Sequence, residues 1–293
     1  MTDQPVRLIA ADMDGTLLGI NNQIPRQNID AIREARAAGI TVAVCTGRFP
    51  ENAYLKLEDS GIRCPIIGTN GAQIVDEGLR PLISHSMEGE TARQVLEILL
   101  SMGADAFIYG PKAVATLRPD ARHHTEVSHG DRARALGLAY LHGPEEARKL
   151  TEGPVHKFYV CNNVPLEPVR KALEQVEHVW VTSSAPENIE VMPEGIDKGR
   201  GLREFAALQH ISMSQVMALG DYDNDIPMLR SAGYGVAMGN ACRAAKEAAR
   251  FVTGNCWDGG FAQAVRAWAL KDGGEGYRAD AAQPGHAGPD PLP

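Results

Sequence analysis

The chain predicts an α/β fold, a doubly wound, mostly parallel sheet into which a second, α+β domain is inserted. Short uninterrupted apolar runs, each closed by a polar residue, recur along it, as strands buried on both faces require. Helical patterns lie between these runs, and strand–helix–strand order implies right-handed crossovers. The stretch from 85 to 190 breaks the rhythm with helices and directly adjacent strands mixed together.

In chain order, Leu8-Ile9-Ala10-Ala11 runs into Asp12, a helical pattern covers 26–38, and Val42-Ala43-Val44-Cys45 runs into Thr46. A second helix is expected over 51–60, before Ile66-Ile67-Gly68 reaches Thr69-Asn70. Residues 74–83 read as a hairpin turning at Glu77-Gly78, the first tether of the insert. Within the insert, a helix over 88–102 precedes strands at 104–110 and 113–118, an Arg/His-rich stretch, and helices at 131–141 and 144–151. A strand over 155–161, a helix over 165–178 and strands at 179–184 and 187–192 complete it, with 190–196 as the second tether. The first pattern then resumes. A helix over 198–209 leads to Val216–Gly220 and Asp221, and a helix over 225–232 leads to Val236–Gly239 and Asn240. A helix over 241–249 and the pair Phe251-Val252 close the series. The expected division is a core in two parts, 1–84 and 191–271, a cap over 85–190, and a Gly-, Ala- and Pro-rich tail over 272–293 that should be disordered.

Composition narrows the function classes. Of 293 residues, 29 are Lys or Arg and 37 are Asp or Glu, a formal net charge of −8. That balance argues against a chain built to grip nucleic acid or an anionic membrane. No apolar run approaches the roughly 20 residues of a spanning helix, and the N-terminus lacks the basic-then-apolar order of a secretory signal. Five cysteines are scattered with no C-x-x-C pair, which suits reduced thiols and a cytoplasmic location. Monomer and dimer both stay open.

In a doubly wound sheet the ligand crevice lies outside the carboxyl ends of the strands. Asp12, Thr46, Asn70 and Asp221 should therefore gather on one edge. Asp12-Met13-Asp14-Gly15-Thr16 and Asp221-Tyr222-Asp223-Asn224-Asp225 would bring up to five carboxylates there. Two bare carboxylates about 4 Å apart repel by roughly 4 kcal/mol at an effective dielectric of about 20. Such a site calls for a hard cation, Mg²⁺ before Ca²⁺. Neither cluster is a calcium-binding EF-hand loop. The required Gly and Glu positions hold Ile226 and Ala232 when counted from Asp221, and Leu17 and Gln23 when counted from Asp12. Thr46-Gly47-Arg48 alone reads as a cap with a turn glycine, and Lys198 alone as a surface lysine in a first helical turn. Together, a hydroxyl, backbone N–H groups and a lysine are what a phosphate needs beside a metal. Competing machinery is missing from the sequence. There is no Gly-Lys dipeptide for a Walker A loop, no Cys-x5-Arg and no G-x-S-x-G elbow. The glycines of 233–239 are wrongly spaced for a dinucleotide loop.

Taken in order, these signatures resemble the haloacid dehalogenase (HAD) superfamily, and within it the Cof-like phosphatases that carry a large α/β cap. The D-x-D-G-T box is Asp12–Thr16, the strand-end hydroxyl is Thr46, the lysine is Lys198, and the G-D-x-x-N-D box is Gly220–Asp225. Thr69–Ala72 and Gly235–Ala241 also look like this subfamily's, and the resemblance covers about 6–270. It implies that Asp12 is the nucleophile of an aspartyl-phosphate intermediate, with Mg²⁺ held by Asp12, the Asp14 carbonyl, Asp221 and water. Asp14 would protonate the leaving alkoxide and then deprotonate water, and Thr16 would position Asp14. Thr46, the Gly47 N–H, Lys198 and Asn224 would hold the phosphoryl oxygens. Asp225 would orient Lys198 or metal-bound water, and Asp223 would face solvent. The implied enzyme is a Mg²⁺-dependent hydrolase of small phosphorylated metabolites, with sugar phosphates and flavin- or pyridoxal-type phosphates the leading substrate classes. A sugar phosphomutase and a non-catalytic phosphate-ligand sensor are the alternatives.

The cap has one basic cluster, Arg118, Arg122, His123, His124, His129, Arg132 and Arg134. Its ordinary reading is a solvated face. The sharper reading is that one or two of these side chains reach the substrate.

Overall fold

The computed structural model describes residues 4–270, so the expected tail over 272–293 lies outside the described residues. The first core segment holds β1 (Leu8–Ala11), α1 (Arg26–Ala37), β2 (Thr41–Cys45), α2 (Pro50–Glu58), β3 (Ile66–Gly68), β4 (Gln73–Val75) and β5 (Pro81–Ser84). The insert follows with α3 (Gly89–Ser101), β6 (Ala106–Tyr109), β7 (Ala113–Thr116), α4 (His124–Ala135), β8 (Ala139–His142) and α5 (Pro144–Leu150). It continues through β9 (Lys157–Val160), α6 (Leu166–Leu173), β10 (Val179–Thr182) and β11 (Ile189–Pro193). The chain then returns to the core with α7 (Lys198–Leu208), β12 (Val216–Gly220), α8 (Ile226–Ser231), β13 (Tyr234–Ala237), α9 (Arg243–Ala248), β14 (Phe251–Val252) and α10 (Gly260–Ala264). No helix among the described residues is long and apolar enough to cross a membrane.

The core sheet has the order β14-β13-β12-β1-β2-β3-β4-β5 and is parallel from β14 to β3. The β4 and β5 strands of the expected hairpin add an antiparallel edge to it. Strand alternation explains why the apolar runs are unbroken. Ile9, Ala11, Val42, Val44, Met217 and Leu219 face one side, packed with α1, α2 and α10. Leu8, Ala10, Ala43, Cys45 and Ala218 face the other, packed with Leu202 and Phe205 of α7. Both faces are covered, so every position is apolar. In register, Ala11 pairs with Leu219 on one side and Val44 on the other. Asp12, Thr46 and Asp221 thus leave the sheet at nearly one level.

The inserted sheet has the order β10-β11-β9-β6-β7-β8, antiparallel except for the parallel pair β7–β8. One face packs on α3, α5 and α6 through Val95, Leu96, Leu99, Ala147 and Val169. The other turns toward the core, where Tyr109, Val114, Ala133 and Leu138 pack with Phe49 and Leu55. Two readings need correcting. The helix expected over 131–141 is α4, which begins at His124 and ends before Gly137, where φ is +84°. Residues 139–142 form a strand instead, because Ala139–His142 pair in parallel with Ala113–Thr116. In addition, β11 runs through Pro193, so the expected boundary at 190 falls inside a strand of the inserted sheet.

The basic cluster is more than a solvated face. His123 is buried against Phe107 and Tyr109. Arg132 bridges to Glu58 and Asp59 at 2.9 and 2.7 Å, and His129 reaches Asp59 at 2.9 Å, tying α4 to α2 across the seam. Such solvent-facing pairs contribute about 0–1 kcal/mol each, so the apolar seam supplies most of the cohesion.

Candidate active site

The Asp12 N–H donates to Leu219 O at 2.9 Å, the last rung before β1 and β12 end together. The chain then tightens into a turn over Met13–Leu17 that depends on Gly15, whose φ is +79°. A Cβ on Gly15 would lie 2.3 Å from Asp221 Oδ2, and a side chain is strained at that φ in any case. Gly15→Ala is therefore expected to displace Asp221 and to lower kcat/KM by at least about a hundredfold, or ~2.7 kcal/mol in barrier. Steady-state assay of the purified, folded variant checks this. The same loop is pinned by Asn240, which donates to Gly15 O at 2.8 Å and accepts from Cys256 N–H at 2.8 Å. That gives the Gly235–Ala241 stretch a structural task.

Lys198 opens α7, whose first turn is capped by Asp197 accepting from Arg200 N–H at 2.7 Å. The surface-lysine reading does not hold. Lys198 is 1% exposed, and its Nζ donates to Asp12 Oδ1 and Asp225 Oδ1, each at 2.6 Å. The other Asp225 oxygen accepts the N–H groups of Asp221 at 2.7 Å and Tyr222 at 3.1 Å. Asp225 thus binds the lysine and shapes the acidic loop at once. Burial works against the Lys198 ammonium, but Asp12 and Asp225 outweigh it and hold its pKa well above the usual lysine value.

Asp12, Asp221 and Asp225 each offer a carboxylate oxygen within 4.8 Å of the others. Burial, reinforced by the neighbouring carboxylates, raises Asp12 well above the usual range despite Lys198. Burial and Asp225 push Asp221 up to about 7. One ammonium, paired with two of the three carboxylates, leaves two negative charges uncompensated when all three are ionised, and the donors are all hard oxygens. The residues therefore fit a divalent cation of the Mg²⁺ type.

Asp14 is turned outward, with its side chain 56% exposed, and Arg48 grips it with two hydrogen bonds of 2.7 and 2.5 Å. Partial desolvation among its neighbours would raise its pKa, but the hydrogen bonds and charge of Arg48 prevail and lower it. Arg48 also donates to Asn52 Oδ1 at 3.0 Å, and Asn52 meets His124 and Thr125 of the insert. Burial and Arg48 bring His124 down to about 4, so its ring is neutral. The Thr16 hydroxyl donates to Asp221 Oδ1 at 3.4 Å, so its bond goes to Asp221 and not, as expected, to Asp14. Asp223 is exposed.

Thr46 and Asn224 are buried, and the Thr46 hydroxyl accepts Arg48 N–H at 3.1 Å. Asn224 Nδ2 donates to Asn70 Oδ1 at 3.2 Å, and Asn70 Nδ2 donates to Glu190 Oε2 at 2.8 Å. Asn70 sits in a turn where it and Thr69 have φ of +52° and +50°, a strained setting for Thr. Lys157 Nζ joins Glu190 Oε1 at 2.8 Å to Gly47 O at 2.5 Å. The sequence reading missed Arg48, Lys157 and Glu190 as site groups. A signal existed for the last two, since each is a charge set inside an apolar strand.

Over residues 9–265 the chain matches the family described as haloacid dehalogenase-like hydrolase. The chain belongs to that family. Among its relatives is a 5-amino-6-(5-phospho-D-ribitylamino)uracil phosphatase, YcsE of Bacillus subtilis, 31% identical over 92% of this chain and 98% of that one. Another is the pyridoxal phosphate phosphatase YbhA of Escherichia coli, 28% identical over 88% and 97%. A solved haloacid dehalogenase-like hydrolase from B. subtilis superimposes with a TM-score of 0.78, covering 89% of this chain and 99% of the other at 29% identity. HAD membership of the Cof-like type, with phosphatases as relatives, makes this chain a phosphoric monoester hydrolase.

Proposed function

We propose that this HAD phosphatase hydrolyses phosphate monoesters of small metabolites, with Mg²⁺, through an aspartyl-phosphate on Asp12. The observation that carries the reading is the convergence of Asp12, Asp221 and Asp225 on one another, with Asp12 and Asp225 both paired to the buried Lys198. An Asp12 oxygen attacks phosphorus, and the ester C–O oxygen leaves with the electron pair of the P–O bond and a proton from Asp14. Asp14 then takes a proton from water, which attacks the aspartyl-phosphate, breaks its P–O bond and releases orthophosphate with Asp12 restored. Lys198, Thr46, the Gly47 N–H and Asn224 hold the phosphoryl oxygens as charge spreads over them. Asp12, Asp221 and the Asp14 carbonyl would hold Mg²⁺, which supplies charge neutralisation where carboxylate meets phosphate. Arg48 grips Asp14 with two hydrogen bonds, so Asp14 must be released from Arg48 to carry its proton.

Among substrates, flavin- or pyridoxal-type and sugar phosphates are favoured, since a phosphorylated ribitylaminouracil and pyridoxal phosphate stand in the names of the two phosphatases above and all are small phosphomonoesters. A panel of such esters, assayed for orthophosphate with Mg²⁺ and with excess EDTA, tests the reading. Release from several esters, falling at least about a hundredfold in EDTA (~2.7 kcal/mol), is the expected outcome. Undiminished release in EDTA would remove the metal from the mechanism, and transfer to a second sugar hydroxyl without orthophosphate would mark a phosphomutase.

A further inference from the structure

We infer that Lys157 and Glu190 of the inserted domain are positioning residues for the phosphoryl-binding loops, which take their binding geometry only when this buried ion pair is seated on Gly47 and Asn70. The inference rests on the phosphatase reading for its reaction, but its geometry stands by itself. Lys157 and Glu190 lie on neighbouring strands, β9 and β11, on the sheet face turned toward the core. Their side chains are 2% and 1% exposed.

A buried ion pair is costly to desolvate and is a poor device for stability alone. Here both partners also serve the core. The Lys157 ammonium donates to Gly47 O, fixing the plane of the peptide whose carbonyl belongs to the Thr46-Gly47-Arg48 turn. Glu190 takes the Asn70 amide, and Asn70 takes Asn224, the residue beside Asp225. One network thus reaches the strand-end turns after β2, β3 and β12. Gly47 completes the fit, because a Cβ there would lie 3.0 Å from Asn70 Oδ1 and 3.4 Å from Glu190 Oε1. The rings of Tyr109 and Tyr159 flank Lys157, with its Nζ 5.0 and 5.7 Å from their centres. They keep the ammonium aligned on its two acceptors. An insert lifted from the core would leave Gly47 O and the Asn70 amide without these partners, so the loops would lose their alignment as the site opened. Seating of the insert and capture of the phosphoryl group become one event.

Charge alone must be separated from positioning. Lys157→Met leaves a negative charge near an anion site, whereas Lys157→Met with Glu190→Gln removes equal and opposite charges and keeps the packing. Orthophosphate binding is measured by phosphorus NMR titration in Mg²⁺ buffer, alongside kcat and KM for p-nitrophenyl phosphate and thermal unfolding. The double variant is expected to unfold near the wild-type temperature, yet to bind orthophosphate about tenfold more weakly (1.4 kcal/mol) and to raise KM in proportion. The single variant should bind more weakly still, and if it does not fold the double variant carries the test. Wild-type orthophosphate affinity in the double variant would overturn the positioning role, even if its stability fell. A wild type that binds orthophosphate but hydrolyses no ester would refute the phosphatase reading and leave the coupling to be judged by the same titration. A wild type that neither binds orthophosphate nor hydrolyses any ester overturns both, and one that hydrolyses esters is judged by whether the double variant raises KM.

Discussion

Asp12→Asn is expected to remove turnover, lowering kcat/KM by at least about a thousandfold, or ~4 kcal/mol in barrier, while the protein stays folded. An amide of the same shape keeps the side chain's packing at the end of β1 but cannot displace an ester oxygen from phosphorus. Stability supplies a second reading of the same variant. Burial and the adjacent acids keep Asp12 well above the usual carboxylate range in spite of Lys198, so its charge opposes folding at neutral pH. Metal-free Asp12→Asn should therefore unfold at or above the wild-type temperature, which separates lost chemistry from lost structure. Acid-stable phosphoryl label on the protein, present in wild type and absent from the variant after quenching, would locate the covalent step. Wild-type rates in the purified variant would remove Asp12 from the nucleophile's role.

Much of the fold was legible because parallel strands covered on both faces must be apolar at every position, and each such run ended in a polar residue at the crevice. The same regularity made Asp12, Thr46 and Asp221 visible, since a charged or hydroxylic residue directly after a buried strand stands out, whereas Lys198 at a helix start reads as an ordinary surface lysine until it is set beside them. The insert was harder to read. Its α4 carries few apolar residues, only Thr125 and Ala133 being buried, so no helical period announces it, and the charged and histidine side chains that hold it to α2 looked like a solvent face. Arg48, Lys157 and Glu190 were hidden for another reason. Lys157 and Glu190 meet Gly47 and Asn70 across the seam between two sheets, and sequence spacing carries no information about which strand of an insert meets which loop of a core. Arg48 meets Asp14 of another strand-end loop and Asn52 of α2, both within the core. Thr16 shows the limit at short range too, since its neighbour in sequence, Asp14, points outward while Asp221 closes over it from a distant strand.

Lys198→Met should have the largest effect on stability as well as abolishing measurable activity. The wild-type ammonium is held between Asp12 and Asp225 at 2.6 Å from each, with almost no exposure. Removing one partner of a buried ionic group costs about 3–5 kcal/mol, because the remaining charges stay buried without compensation. The loss should depend on pH in a defined direction. An acid whose folded pKa lies above its unfolded value, near 4, binds a proton more tightly when folded. Its contribution therefore falls as pH rises through the interval between the two values, which for Asp221 extends to about 7. Without the lysine, which lowers both Asp12 and Asp221, their folded values rise further and the interval widens upward. The gap in unfolding temperature between variant and wild type should be smallest near pH 4 to 5 and grow toward pH 8. Mg²⁺ binds only the folded acids, so it should raise the variant's unfolding temperature more than the wild type's, without restoring activity. Thermal scans across pH, with Mg²⁺ and with EDTA, read all three trends. A gap that is small and flat with pH would mean that the Lys198 ammonium does not hold these acids together.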